Sequence, residues 1–135
     1  VARYGQTLKS TLGELGRTMV TLWVINRQRD SLELLADYLD AMPAGADHQV
    51  HVVRNGYFGS AEKFQLYNGS QLKKRIEEAG GLTLDFPDLA DRVADQMATQ
   101  RLTIQGALKE MPLGHRAELI RWRDDAFKVL GRVMT

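Results

Sequence analysis

The chain has 135 residues, 18 Lys and Arg against 17 Asp and Glu, a net charge of +1 and no cysteine. That length accommodates one ordinary domain and excludes two. The balanced charge excludes recruitment of nucleic acid by net charge alone. The missing cysteines exclude a disulfide scaffold, a zinc–thiolate centre and a thiol nucleophile, and fit a reducing cytoplasm. No apolar run approaches the roughly 18 residues that cross a bilayer; the longest, Met19–Ile25, is broken by Thr21.

The first element predicted is a helix over residues 7–16, where Leu8, Leu12 and Leu15 share one face and Gly16 is a natural stop. Met19–Ile25 is β-branched, aromatic and nearly all apolar, which predicts a strand buried on both faces. Asp30 followed by Glu33 matches a capping box with Asp30 as N-cap. Leu32, Leu35, Leu39 and Met42 then form a helical stripe that ends at Pro43. Val50–Val53 reads as a second strand, left through Arg54, Asn55 and Gly56. Residues 57–69 are aromatic and punctuated by glycine, and read as loop or short helix.

Residues 70–79 form the next predicted helix, closed by Gly80 and Gly81. Leu82–Phe86 is the third strand, and Pro87 is placed to open the helix after it. Leu89, Val93 and Met97 fall on one face there. Residues 102–109 read as helical with Gly106 a weak point, and Pro112 breaks the chain. A last helix over residues 115–131 carries Leu119, Trp122, Ala126, Val129 and Val133 on one side.

Strands alternating with helices predict an α/β fold, a partial doubly wound and mostly parallel sheet of about three strands, with flanking helices and a helical C-terminal end. Residues 1–135 read as one domain with 101–135 as a helical extension. An open sheet usually has about five or six strands, and the chain starts at Val1 rather than Met. The expectation is that further strands lie upstream, making this the C-terminal portion of a larger domain.

Ligands of open α/β sheets bind beyond the carboxyl ends of the strands, which directs attention to residues 26–30, 54–59 and 87–91. Asn55 has two readings. Its carboxamide matches the N6/N7 edge of adenine, and Asn-Gly is also a turn signal. Asp88, Asp91 and Asp95 are spaced to share one side of a helix, as a carboxylate cluster or as a solvated face with an Asp88–Arg92 pair. His48 and His51 are three apart and point to opposite faces of a strand, a poor metal pair. Lys9-Ser10-Thr11 imitates the end of a phosphate loop, but lacks the preceding glycine and strand. Arg116, Arg121, Arg123, Lys128 and Arg132 give the last helix a basic side, available to an acidic partner, to nucleic acid or to solvent.

The ordered set Trp23-Val24-Ile25, Asp30-Ser31, Val52-Val53-Arg54-Asn55, Gly80 to Pro87 and Asp91-Arg92-Val93 resembles the C-terminal half of ParA/MinD-like P-loop ATPases, nearest to the partition, stability and mobilisation relatives on bacterial plasmids. The resemblance implies that Asn55 contacts adenine, that Pro87 and Asp88 lie against the other side of the base, and that ATP and Mg²⁺ are the ligands of the parent protein. It also implies a dimeric ATP-bound form and a partition or mobilisation partner. Apart from the resemblance, the exposed edge of a half-sheet predicts self-association, and the basic last helix allows weak nucleic-acid contact. The lack of a long apolar run and of cysteine predicts no membrane and a cytoplasmic setting. The family's phosphate loop and its Mg²⁺-holding aspartates are not among these residues. The chain alone is therefore expected neither to hydrolyse ATP nor to bind it tightly. Two other readings stand beside it: a non-catalytic interaction module, and a small nucleotide or nucleic-acid binder that uses the basic last helix.

Overall fold

The computed structural model describes residues 2–134. In chain order it contains α1 (Ala2–Glu14), β1 (Met19–Ile25), α2 (Arg29–Ala41), β2 (His48–Asn55), two 3₁₀ turns (Gly56–Phe58 and Ala61–Lys63), α3 (Gln65–Asn68), α4 (Gln71–Glu78), β3 (Thr83–Phe86), α5 (Asp91–Gln100), α6 (Ile104–Glu110) and α7 (Leu113–Gly131). The three strands form one parallel sheet in the order β1-β2-β3. The register of β1 on β2 runs from Met19 opposite His48 to Ile25 opposite Arg54. The Val52 N–H donates to the Leu82 carbonyl and ties β3 to β2. The α/β class and the parallel sheet are as the alternation of patterns predicts. Residues up to Asp85 form one compact unit and residues from Phe86 onward a second.

In the first unit α2 and the segment from Phe64 to Ile76 lay their apolar stripes on one face of the sheet. Ile25, Val50 and Val52 from the strands meet Leu35 and Leu39 of α2 and Phe64, Tyr67 and Ile76. Trp23 packs on Tyr38 with ring centroids 5.2 Å apart. β1 is not buried on both faces as predicted. Val20 and Val24 point away from that core and are 41% and 59% exposed. A continuous apolar run does not by itself say that both faces are covered, and β1 is an edge strand.

His48 and His51 do point to opposite faces and both are buried. His48 lies among Thr21, Tyr38 and the Pro43 carbonyl. The His51 Nδ1 accepts from the Leu82 N–H at 3.0 Å, and burial lowers its pKa below the ordinary 6.5. Gly81 is fixed by space rather than by φ. A Cβ there collides with the Val50 carbonyl oxygen and meets the Ile76 carbonyl oxygen at 2.9 Å, so α4 passes the sheet at this point only over a bare backbone.

The capping prediction for α2 is corrected. The helix starts at Arg29 with Gln28 as N-cap, and Asp30 sits in its first turn with no capping bond. Asn26 organises the entry instead. Its Oδ1 accepts from the Gln28 N–H at 2.8 Å and from the Ser31 hydroxyl at 2.7 Å. Residues 57–69 are short turns and helix, as read. The Lys9-Ser10-Thr11 triplet lies inside α1, not in a strand–loop–helix junction.

The second unit packs α5, α6 and α7 around Val93, Ala107, Met111 and Leu119. Pro87 does not open α5, which is also a correction. Four residues, 87–90, separate β3 from Asp91, with Ala90 as N-cap. Side chains of α7 hold that loop in place. The Trp122 indole donates to the Pro87 carbonyl at 3.0 Å, Arg121 donates to the Asp88 carbonyl at 3.1 Å, and Glu118 accepts from the Ala90 N–H at 3.1 Å. Asp88 consequently lies outside the helix and does not share a helical side with Asp91 and Asp95, and no Asp88–Arg92 ion pair occurs among the described residues. Thr103 caps α6 by accepting from the Gly106 N–H.

Candidate functional site

The polar end of the first unit follows from where β1 and β2 stop. β1 runs into the loop ordered by Asn26, and β2 runs into the 3₁₀ turn at Gly56–Phe58. Between these two strand ends opens a cleft of about 410 Å³, lined by Asn26, Arg27, Gln28, Phe58, Lys63 and Gln65 among others. Two cations, three carboxamides and an aromatic ring thus converge at the carboxyl end of a parallel sheet, the place where such sheets hold ligands.

The walls are held by a chain of hydrogen bonds from β3. Arg54 grips Asp85 with two bonds of 2.6 and 2.9 Å and reaches the Asn68 Oδ1 at 2.8 Å. The Arg54 side chain is 13% exposed and the Asp85 side chain 54%, so the guanidinium is shielded while its bidentate carboxylate partner faces solvent. Asn68 in turn donates to the Ala61 carbonyl at 2.9 Å, which ties down the segment that carries Lys63. Gly59 takes φ +125°, a conformation open to glycine, and the Lys63 stem packs against it. Arg27 donates to the Phe58 carbonyl across the cleft at 3.4 Å. Both cleft cations have exposed side chains and are free to adjust.

Asn55 ends β2 and is not among the residues that line this cleft. Its Oδ1 accepts from the Tyr57 N–H at 3.1 Å and caps the 3₁₀ turn, as its turn reading requires. Pro87 and Asp88 follow β3 directly and belong to the second unit. Of the three loop stretches singled out in the sequence, 26–30 and 54–59 meet at the cleft. The cleft residues that the sequence reading passed over are Lys63, Gln65 and Leu66. Their only local signal is position after the carboxyl end of β2, in a segment with no periodicity.

The basic side of α7 is partly neutralised from within. Arg121 bonds Glu118 and Asp125, and Arg123 pairs with Asp124. The hydrogen bonds from Arg121 hold the Glu118 carboxyl at about 2, against desolvation that pushes the other way. Trp122 packs against the second core and edge-on to Phe86 at 6.0 Å, which marks it as structural. No cluster of His, Asp and Glu able to hold a metal ion occurs among the described residues. No described helix is long and apolar enough to cross a membrane.

Compared with known proteins, the chain is 61% identical over 134 residues to Protein MobD of Acidithiobacillus ferrooxidans. The alignment takes in 99% of this chain and 58% of that protein, so the chain spans a little over half the length of its curated relative. No protein-family model matches the chain. No solved structure matches it.

Proposed function

We propose that this chain is part of a protein of plasmid mobilisation, and that it forms the base-side portion of a ParA/MinD-like nucleotide switch. The mobilisation reading rests on the 61% identity to a protein named MobD, which extends over nearly the whole chain. The nucleotide reading draws support from one observation. A polar, cation-bearing cleft lies at the carboxyl ends of β1 and β2, the latter ending in Asn55, and Pro87 and Asp88 follow the end of β3.

In this reading Asn55 keeps its Oδ1 bond to Tyr57 and offers Nδ2 and the second Oδ1 lone pair to the N7/N6 edge of adenine. By the family resemblance, Pro87 and Asp88 are the further residues of the loop after β3 proposed for the base side. ATP and Mg²⁺ are ligands of the complete protein. The chain alone turns over no ATP, because the glycine-rich cradle and metal-holding aspartates that phosphoryl transfer needs are not among its residues. The protein acts in the cytoplasm, associates with itself and meets a partition or mobilisation partner. A second reading, a protein-interaction module, draws on the exposed apolar residues of α7.

The test uses the full-length protein that carries this segment. Asn55→Ala is expected to weaken ATP binding about tenfold and to narrow the preference for ATP over GTP, since a bidentate base contact is worth about 1–3 kcal/mol. An unchanged Kd and an unchanged preference in a folded variant refute the base contact. ATP turnover by the pure 135-residue chain refutes its predicted inactivity. Deleting the coding region from a plasmid and finding conjugative transfer unaltered removes the mobilisation reading.

A further inference from the structure

α7 is apolar on two opposite sides. Leu119 and Ala126 point into the core of the second unit, with Trp122 packed alongside. On the far side stand Leu113, Ile120 and Phe127, which are 75%, 40% and 64% exposed. They recur every seven residues, so they stack in one row along the helix. Exposed Ala117 falls between Leu113 and Ile120, Asp124 between Ile120 and Phe127, and exposed Gly131 lies one turn beyond Phe127. The row extends over most of a 19-residue helix, a length of about 28 Å. Three large apolar side chains in register on one exposed face exceed the scatter of single exposed apolar residues normal on a surface.

The borders of the row are basic on both sides. Arg116 and Arg123 flank it on one edge, and Arg121 and Lys128 on the other. Arg121 and Arg123 are answered by Glu118, Asp125 and Asp124 of the same helix. Arg116 and Lys128 have no carboxylate partner among the described residues, and the Arg116 Nε is buried without an acceptor. From these observations we propose that the outward face of α7 is a docking seam for an amphipathic helix of another protein, one whose apolar stripe is bordered by Asp and Glu.

Charge decides among the possible occupants. Two copies of this face brought together set cation against cation along both borders, which opposes self-pairing. A lipid surface suits the basic borders, but Asp124 stands in the middle of the row, where hydrocarbon is costly for a carboxylate. Duplex DNA engages the cations and leaves the apolar row without a role. An acid-bordered helix satisfies both the apolar row and the two unanswered cations.

The experiment uses the full-length protein that carries this segment and two helix-stapled, fluorescein-labelled peptides with the same leucine seam, one bordered by Glu and one by Lys. By anisotropy the Glu-bordered peptide is expected to bind at least about tenfold more tightly. Its affinity is expected to fall several-fold between about 50 and about 500 mM salt. Ile120→Glu and Phe127→Glu, both at exposed positions, should each weaken binding about tenfold with the melting temperature unchanged. The double variant Arg116→Glu/Lys128→Glu should transfer the preference to the Lys-bordered peptide. Equal affinity for the two peptides, no binding, or binding indifferent to Ile120→Glu and Phe127→Glu overturns the proposal. So does a dimer that Ile120→Glu dissociates in sedimentation, or binding of duplex DNA or phosphatidylglycerol vesicles that is lost in the same variants.

Discussion

Glu118→Gln removes one charge and little volume from the junction that holds the 87–90 loop on α7. The carboxylate accepts from the Ala90 N–H at 3.1 Å and from Arg121 at 2.7 and 2.8 Å. Hydrogen bonding from Arg121, ahead of the Ala90 N–H and the nearby positive charges, takes its pKa from 4.5 to about 2. Taken whole, that difference is worth about 3 kcal/mol. The Arg121 side chain is 48% exposed, and screening at such a site brings the contribution to about 1–2 kcal/mol. The amide can still accept from Ala90, but its NH₂ faces guanidinium donors. Thermal unfolding at pH 7, followed by circular dichroism, should show a transition roughly 4–8 °C lower. The pH dependence has a definite sign. A carboxyl held low stabilises fully above pH 4.5 and loses that contribution as the pH falls through about 2. The gap between parent and variant should therefore narrow on acidification. A variant that melts within about 1 °C of the parent at pH 7, or a gap that widens in acid, refutes the reasoning.

The other predictions concern packing and one neutral histidine. Gly81→Ala should cost about 3 kcal/mol or more, because the added carbon meets the carbonyls of Val50 and Ile76, read as a lowered urea midpoint. His51 must stay unprotonated at Nδ1 to accept from Leu82, and burial lowers its pKa. Its contribution to stability is thus complete above pH 6.5 and lost as the pH falls below that value. His51→Gln should flatten the acid limb of the stability profile, and parallel profiles count against this role. Trp122→Ala should lower the melting temperature, by an amount corresponding to about 2–4 kcal/mol, and leave binding of the Glu-bordered peptide unchanged, since the indole packs on the inner side of α7.

Features specified by neighbours in the chain were legible from the sequence. β1 was found to the residue because seven consecutive positions favour a strand, and the α2 stripe was found because its leucines repeat at helical spacing. The capping of α2 was misread because two equally local signals compete, Asp30 and Asn26, and the loop geometry favours Asn26. Pro87 was misread for a different reason. Its loop is held by Glu118, Arg121 and Trp122, some thirty residues further on, and no local pattern reports that. The cleft was legible as a place, the carboxyl ends of the strands, but Lys63 and Gln65 were not, since turns carry no period. For α7 both apolar rows are visible in the sequence. Periodicity cannot say which of two rows turns inward, and the row of Leu119, Trp122 and Ala126 accounted for the helix by itself.

The arrangement around the cleft separates charges that build it from charges left to act. Arg54 is largely shielded and spends its donors on Asp85 and Asn68, and through Asn68 it fixes the Ala61 carbonyl. Removing Asp85 strands a shielded guanidinium, so this pair holds the wall in place and is not available for exchange. Arg27 and Lys63 are exposed, and neither pairs with a carboxylate among the described residues. A cleft that binds an anionic ligand needs both properties at once: a wall that does not yield, and cations whose attraction has not already been satisfied. Asn55 ends β2 with its oxygen engaged in the fold through Tyr57 and its Nδ2 free of any bond among the described residues. The turn reading and the base-contact reading of Asn55 are therefore not rivals, because the bond that caps the turn is the one that orients the amide.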